Sequence, residues 1–173
     1  ARDLALDVVR QEHFQAPAKT CRSGLATGGC TRKIALTYDW LYEYFDEDER
    51  EEIRQAVAEK AFKPVLHDIR RQRPPSEWYT CNGMCVISAP VLMAALLFEP
   101  EMDTGPVYEA ALRQIRKAIA AHCSDGGYPE GPGYWNYGIR HLLLGVEPLR
   151  RLKGIALFKE PFLRHTGDYP LHY

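Results

Sequence analysis

The residues best suited to chemistry cluster around one loop. Ser124-Asp125-Gly126-Gly127-Tyr128-Pro129-Glu130-Gly131-Pro132-Gly133 holds four glycines and two prolines in ten residues, more than a plain joint between two helices requires. A loop of this kind usually presents something to a ligand. The helix expected after it puts Tyr134, Tyr137 and His141 at i, i+3 and i+7, so two phenols and an imidazole share one stripe at its N-terminal end. These are proton-transfer groups. Glu130 lies just before that end, where the helix pole and free backbone N–H groups can also receive an anion. A structural reading competes: Tyr134, Trp135 and Tyr137 as core aromatics and His141 as a satisfied histidine is the commoner outcome at helical spacing. The glycines keep the functional reading open, because they let a ligand approach the backbone.

Other chemistries find little support. Ser23 and Ser88 lie in no G-x-S-x-G elbow, and no Gly-rich phosphate loop with its lysine occurs. The five cysteines, Cys21, Cys30, Cys81, Cys85 and Cys123, are odd in number and irregular in spacing. C-x-x-C is absent, so no structural metal and no cofactor are expected. His13, His67 and His122 lack ligand spacing and read as surface residues. With 22 Lys+Arg against 23 Asp+Glu the net charge is −1, without the basic face that nucleic acid demands. No apolar run approaches the roughly 20 residues of a membrane span. The longest, Val86 to Phe98, contains Pro90.

These groups need a scaffold, and the apolar periodicity supplies helices. Ala1 to Phe14 has a helical rhythm, Gln15 to Cys30 reads as a loop, and Thr31 to Phe45 reads as an amphipathic helix with an aromatic stripe. Tyr38, Trp40 and Tyr42 belong to that stripe and are expected to pack rather than to face sugar. Asp46 is the expected N-cap of a helix from Glu47 to about Gln72, with Pro64 as a kink or break. Arg73-Pro74-Pro75-Ser76 stops it. Asn82 to Phe98 is apolar nearly all round and must be buried on most of its surface. Pro106 opens a helix to His122, another runs from Tyr134 to about Lys153, and short pieces follow near Phe158 to Leu163. No strand alternation is convincing. The expectation is one all-α domain over 1–173, about six helices in successive hairpins, without the fixed period of a repeat array.

Four segments in this order carry a family resemblance: Tyr38-Asp39-Trp40-Leu41-Tyr42, Cys81-Asn82-Gly83, Asp125 through Trp135, and Thr166-Gly167-Asp168-Tyr169-Pro170. Together, across roughly residues 31 to 173, they resemble the helical domain of the heparinase II/III-like polysaccharide lyases, a group that includes oligoalginate lyases. The resemblance implies a partial (α/α) toroid whose helical hairpins form a cleft for an acidic polysaccharide, with a C-terminal β-sandwich that this sequence lacks. It also implies a periplasmic or secreted setting. By position, Tyr134 corresponds to the tyrosine that acts as base and acid in β-elimination. Asn82 corresponds to the neutraliser of the uronate carboxylate, with His141 supporting catalysis and Glu130, Trp135, Tyr137, Arg140 and Trp78 as substrate contacts. Relatives commonly read N-W-N-x-x-C-N-G before the buried helix. Here Ser76-Glu77-Trp78-Tyr79-Thr80-Cys81-Asn82-Gly83 keeps only the last asparagine.

The chemistry suits these residue types. Taking the C5 proton of a uronate requires donors on its carboxylate, since the developing carbanion otherwise sits beside a full negative charge. A phenol serves as base only where cations or donors favour the phenolate, a role that Arg140 or His141 can fill. Two alternatives stay open: a glycan-binding module without chemistry, favoured by the lost asparagines, and a glycoside hydrolase, which needs two carboxylates such as Glu130 with Asp125 or Glu77. Asn82 is equally well read as an N-cap. A partial toroid should also expose an apolar edge, with Leu4, Val8, Val9 and Ile155 to Phe162 as candidates, covered by a second copy or by the missing sandwich.

Overall fold

The computed structural model describes residues 1–73 and 78–172 and is all-α, with no strand among those residues. The chain folds as α1 (Arg2–Arg10), α2 (Leu25–Trp40), α3 (Glu47–Val57), a π turn (Ala58–Phe62), α4 (Lys63–Arg70), α5 (Asn82–Phe98), α6 (Gly105–Ala121), α7 (Pro132–Lys153) and the short α8 (Pro161–His165). Most of the breaker, Pro74 to Ser76, and the hydrolase candidate Glu77 lie outside the described residues. No helix among the described residues is long and apolar enough to cross a membrane.

The apolar run becomes the centre of the molecule. All of α5 is buried except Leu97, which is half-buried, and it packs against α2, α6 and α7. Close approach fixes the directions. A Cβ at Gly28 would stand 2.1 Å from the Val86 carbonyl oxygen, and further along the two helices Leu36 lines one groove with Leu96 and Leu97. On the other flank Gly138 faces Asn82, Gly145 faces Ala89 and Pro148 reaches Leu96. Thus α2, α5 and α7 run parallel, and α6 and the rod of α3 and α4, which connect them along the chain, run antiparallel. At one end of that rod Arg54 pairs with Glu101 beyond the end of α5, and at the other Asp68 meets Ser23 before α2. The three parallel helices α2, α5 and α7 therefore start at the same end of the molecule.

Several boundaries differ from the sequence reading for local reasons. Helix α2 begins six residues earlier than Thr31, within the expected loop, because Gly24 serves as N-cap and donates its N–H to the Thr27 hydroxyl oxygen at 3.2 Å. Gly28 is helical because only a missing side chain lets α2 lie this close to α5. Asp46 is the expected N-cap, accepting from Glu49 N–H at 2.9 Å in a capping box. Pro64 does not end the helical run, which continues to Arg70 through a π turn just ahead of the proline that accommodates the missing N–H. Cys81, not Asn82, is the N-cap of α5, its Sγ accepting from Gly83 N–H at 3.4 Å.

The apolar edge is also not where it was expected. Val9, Leu157 and Phe162 are buried and Val8, Ile155 and Phe158 half-buried, leaving Leu4 exposed. They are covered because α1 folds onto α2 and α3, and the segment after α7 folds onto α6 and α7. Tyr38 packs as expected, its hydroxyl donating to Glu101 at 2.7 Å, and Tyr42 lies under the Arg50 guanidinium. Trp40 does not pack: it is 73% exposed, because it ends α2 where the chain turns away.

Candidate functional site

The shared starting end of α2, α5 and α7 gathers most of the residues that the sequence singled out. Gly131, with φ of +86°, turns the glycine-rich loop into α7, so that Tyr134 rises from the first turn and is 56% exposed. Four residues on, Gly138 packs against the Cβ of Asn82. Tyr134, one turn earlier, is on that same helix face. It makes no hydrogen bond or ring contact among the described residues.

Asn82 is the first residue of α5, buried, and engaged. Its backbone N–H and its Nδ2 both donate to Glu130 Oε2, at 2.5 and 3.0 Å. Glu130 thus lies at the positive pole of α5, not that of α7. Both Asn82 donors that the resemblance assigned to a uronate carboxylate are thus directed at Glu130.

Along α7 the other members divide. The Tyr137 and His141 rings meet edge to face at 4.8 Å, and the Arg140 guanidinium lies 5.1 Å over Tyr137. Buried His141 donates from Nδ1 to the Tyr137 carbonyl at 2.7 Å, which leaves the Nε2 lone pair of the neutral ring. Burial, with Arg32 and Arg140 adding positive charge, holds this imidazole below its usual pKa. Trp135 points to the C-terminal segment: its indole N–H donates to Thr166 Oγ1 at 2.8 Å, and Tyr169 lies beside it. Trp78, outside the helices, is 55% exposed.

Two of the motifs turn out to be one device. The Thr166 hydroxyl accepts from Trp135 and donates to the Gly126 carbonyl at 3.1 Å, while the Tyr169 hydroxyl donates to the Tyr128 carbonyl at 2.9 Å. Asp125 closes the turn by accepting from Gly127 N–H at 2.9 Å. The segment from Thr166 to Tyr169 therefore clamps the loop that sets the start of α7.

Beneath the loop lies a group that sequence reasoning misplaced. His122, expected at the surface, is buried between Tyr128 and Phe162, with ring centroids at 4.8 and 4.4 Å. Its Nδ1 donates to the Ala118 carbonyl at 2.7 Å, and burial lowers its pKa. The Tyr128 hydroxyl and His122 Nε2 have no partner among the described residues. Burial raises the Tyr128 phenol well above its usual value and the Cys85 thiol to about 12. The only sequence sign of this layer was the spacing of apolar residues around it. Among the described residues no three of His, Cys, Asp and Glu converge as a metal site.

The His122 environment makes stability pH-dependent. Its folded pKa lies below the unfolded value of 6.5, so as pH falls through about 6.5 the unfolded chain takes up a proton that the folded chain refuses. Stability is full above that value and declines below it. The melting temperature should drop between about pH 7.5 and about pH 5, and His122→Phe, which keeps the stack, should lessen the drop, to which buried His141 contributes in the same direction.

No protein-family model and no curated protein matches this chain.

Proposed function

We propose that the starting end of α2, α5 and α7 binds an acidic glycan, and that the chain is one arc of a lyase-type (α/α) toroid acting on uronate linkages by β-elimination. The observation that carries this reading is the exposed Tyr134 phenol, held by a clamped glycine-rich loop on the helix face that meets Asn82. Parallel inner helices with antiparallel returns support the toroid arc. In the reaction the Tyr134 oxygen takes the C5 proton, the C4–O4 bond breaks as the C4–C5 double bond forms, and the proton passes to the leaving oxygen. Arg140 supplies positive charge beside the cleft, and Asn82 orients the carboxylate.

A second reading, a glycan-binding module without chemistry, is favoured by one observation: Asn82 already donates to Glu130. The hydrolase reading is weaker, since Asp125 is engaged in its own turn and Glu77 lies outside the described residues. The two leading readings part at Glu130. If Asn82 neutralises substrate, Glu130→Gln removes a competing charge and should tighten uronate oligosaccharide binding about tenfold at low salt. Calorimetric titration of both proteins checks this. Unchanged affinity would take Asn82 out of the site, and product analysis then decides between chemistry and binding alone.

A further inference from the structure

We propose that the recess between the loop ahead of α2 and the end of α4 is an oxyanion subsite, taking a sulfate or carboxylate group of the acidic glycan. The glycan as its source rests on the reading above; the oxyanion chemistry stands on the recess itself. The recess measures about 350 Å³ and is lined by Lys19, Thr20, Arg22, His67, Asp68 and Arg71, among others. The side chains of Lys19, Arg22 and Arg71 form no ion pair or hydrogen bond with any described residue. Arg2, Arg10, Arg54 and Arg150, by contrast, each hold a carboxylate.

The carboxylate among the described lining residues, that of Asp68, forms no ion pair with Lys19, Arg22 or Arg71. Asp68 is buried and turned inward, its oxygens accepting from Arg22 N–H at 2.8 Å, Ser23 N–H at 2.7 Å and the Ser23 hydroxyl at 2.7 Å, with His67 Nδ1 at 3.1 Å. Its effect is to fold the loop so that Lys19, Thr20 and Arg22 stand around an open space facing Arg71. Convergent cations with a hydroxyl donor suit a group with several acceptor oxygens.

Position ties the recess to the candidate site. Ser23 and Asp68 share a small hollow with Met84, whereas Asn82 turns to Gly138 on the other flank of α5. The recess and Tyr134 thus stand on either side of the first turn of α5. A glycan crossing that turn reaches both.

The test titrates the chain with inorganic sulfate, a sulfated uronate hexasaccharide, an unsulfated uronate hexasaccharide and a neutral hexasaccharide, followed by amide shifts and calorimetry. Sulfate should shift the Arg22, Ser23 and Arg71 amides. At least one acidic hexasaccharide should bind, the neutral one should not, and Arg22→Gln with Arg71→Gln should weaken the acidic ligand about tenfold or more. The stronger acidic ligand names the group bound. Should the double variant melt early, Lys19→Gln, on an exposed side chain, serves in its place with a smaller loss expected. Unchanged affinity in a folded variant, or binding of inorganic sulfate alone, overturns the proposal. Acidic glycan shifting the recess amides without any elimination product would leave the recess standing and remove the lyase reading; product formed with no dependence on Arg22 and Arg71 would do the reverse.

Discussion

Tyr134→Phe is expected to lower the rate of uronate elimination by at least about 10²- to 10³-fold while leaving the affinity for oligosaccharide within about twofold of wild type. The phenylalanine keeps the ring and loses only the oxygen that accepts and returns the proton. Tyr134 is exposed and makes no hydrogen bond with any described residue, so removing its hydroxyl orphans nothing in the protein. Stability should therefore stay within about 0.5 kcal/mol, the range of ordinary surface changes. A loss of rate with melting and affinity preserved assigns Tyr134 to the chemical step. Equal loss of affinity makes it a binding residue.

Gly126→Ala should be the most damaging small substitution in the loop. Gly126 has φ of +89°, and a Cβ there would stand 2.4 Å from the His165 carbonyl carbon, backbone that cannot swing aside. Strain of about 1–3 kcal/mol for the dihedral adds to about 1–3 kcal/mol for forcing the two segments apart. An expected cost of about 2–6 kcal/mol follows from the same two sources, and urea denaturation measures it. The damage should also spread to the site. Displacing the Thr166 segment breaks the bonds to Gly126 and Trp135, so the first turn of α7 loosens. Gly133→Ala, where a Cβ meets nothing within 4 Å, is the control and should cost under about 1 kcal/mol.

Much of this architecture was legible along the chain because the deciding signals are local. The apolar run from Asn82 to Phe98 could only be a buried helix, and Asp46 followed by Glu49 is a capping box that depends on four consecutive residues. The start of α2 was not legible. Gly24, Gly28 and Gly29 look like a loop until the α5 backbone is placed against Gly28. Pro64 looked like a break because the accommodating π turn leaves no mark in residue types.

The site divides in the same way. The stripe of Tyr134, Tyr137 and His141 followed from helical spacing, and the structure keeps Tyr137 and His141 in contact. Three facts depended on residues far apart in sequence and stayed hidden: Glu130 on Asn82, Thr166 between Gly126 and Trp135, and the burial of His122 by Phe162. For Trp135 the resemblance supplied a role and no partner: its indole N–H donates to Thr166, far along the chain.

The central claim, that the exposed phenol at the start of α7 performs an elimination on an acidic glycan, is tested most directly by the ends of the products. Incubating the chain with alginate, heparan and hyaluronan oligosaccharides and following ultraviolet absorbance together with mass should yield unsaturated uronate ends from at least one of them. The products should carry no added water, and Tyr134→Phe should abolish them. Saturated reducing ends heavier by one water, or tight binding of the glycans with no product at all, would contradict the claim.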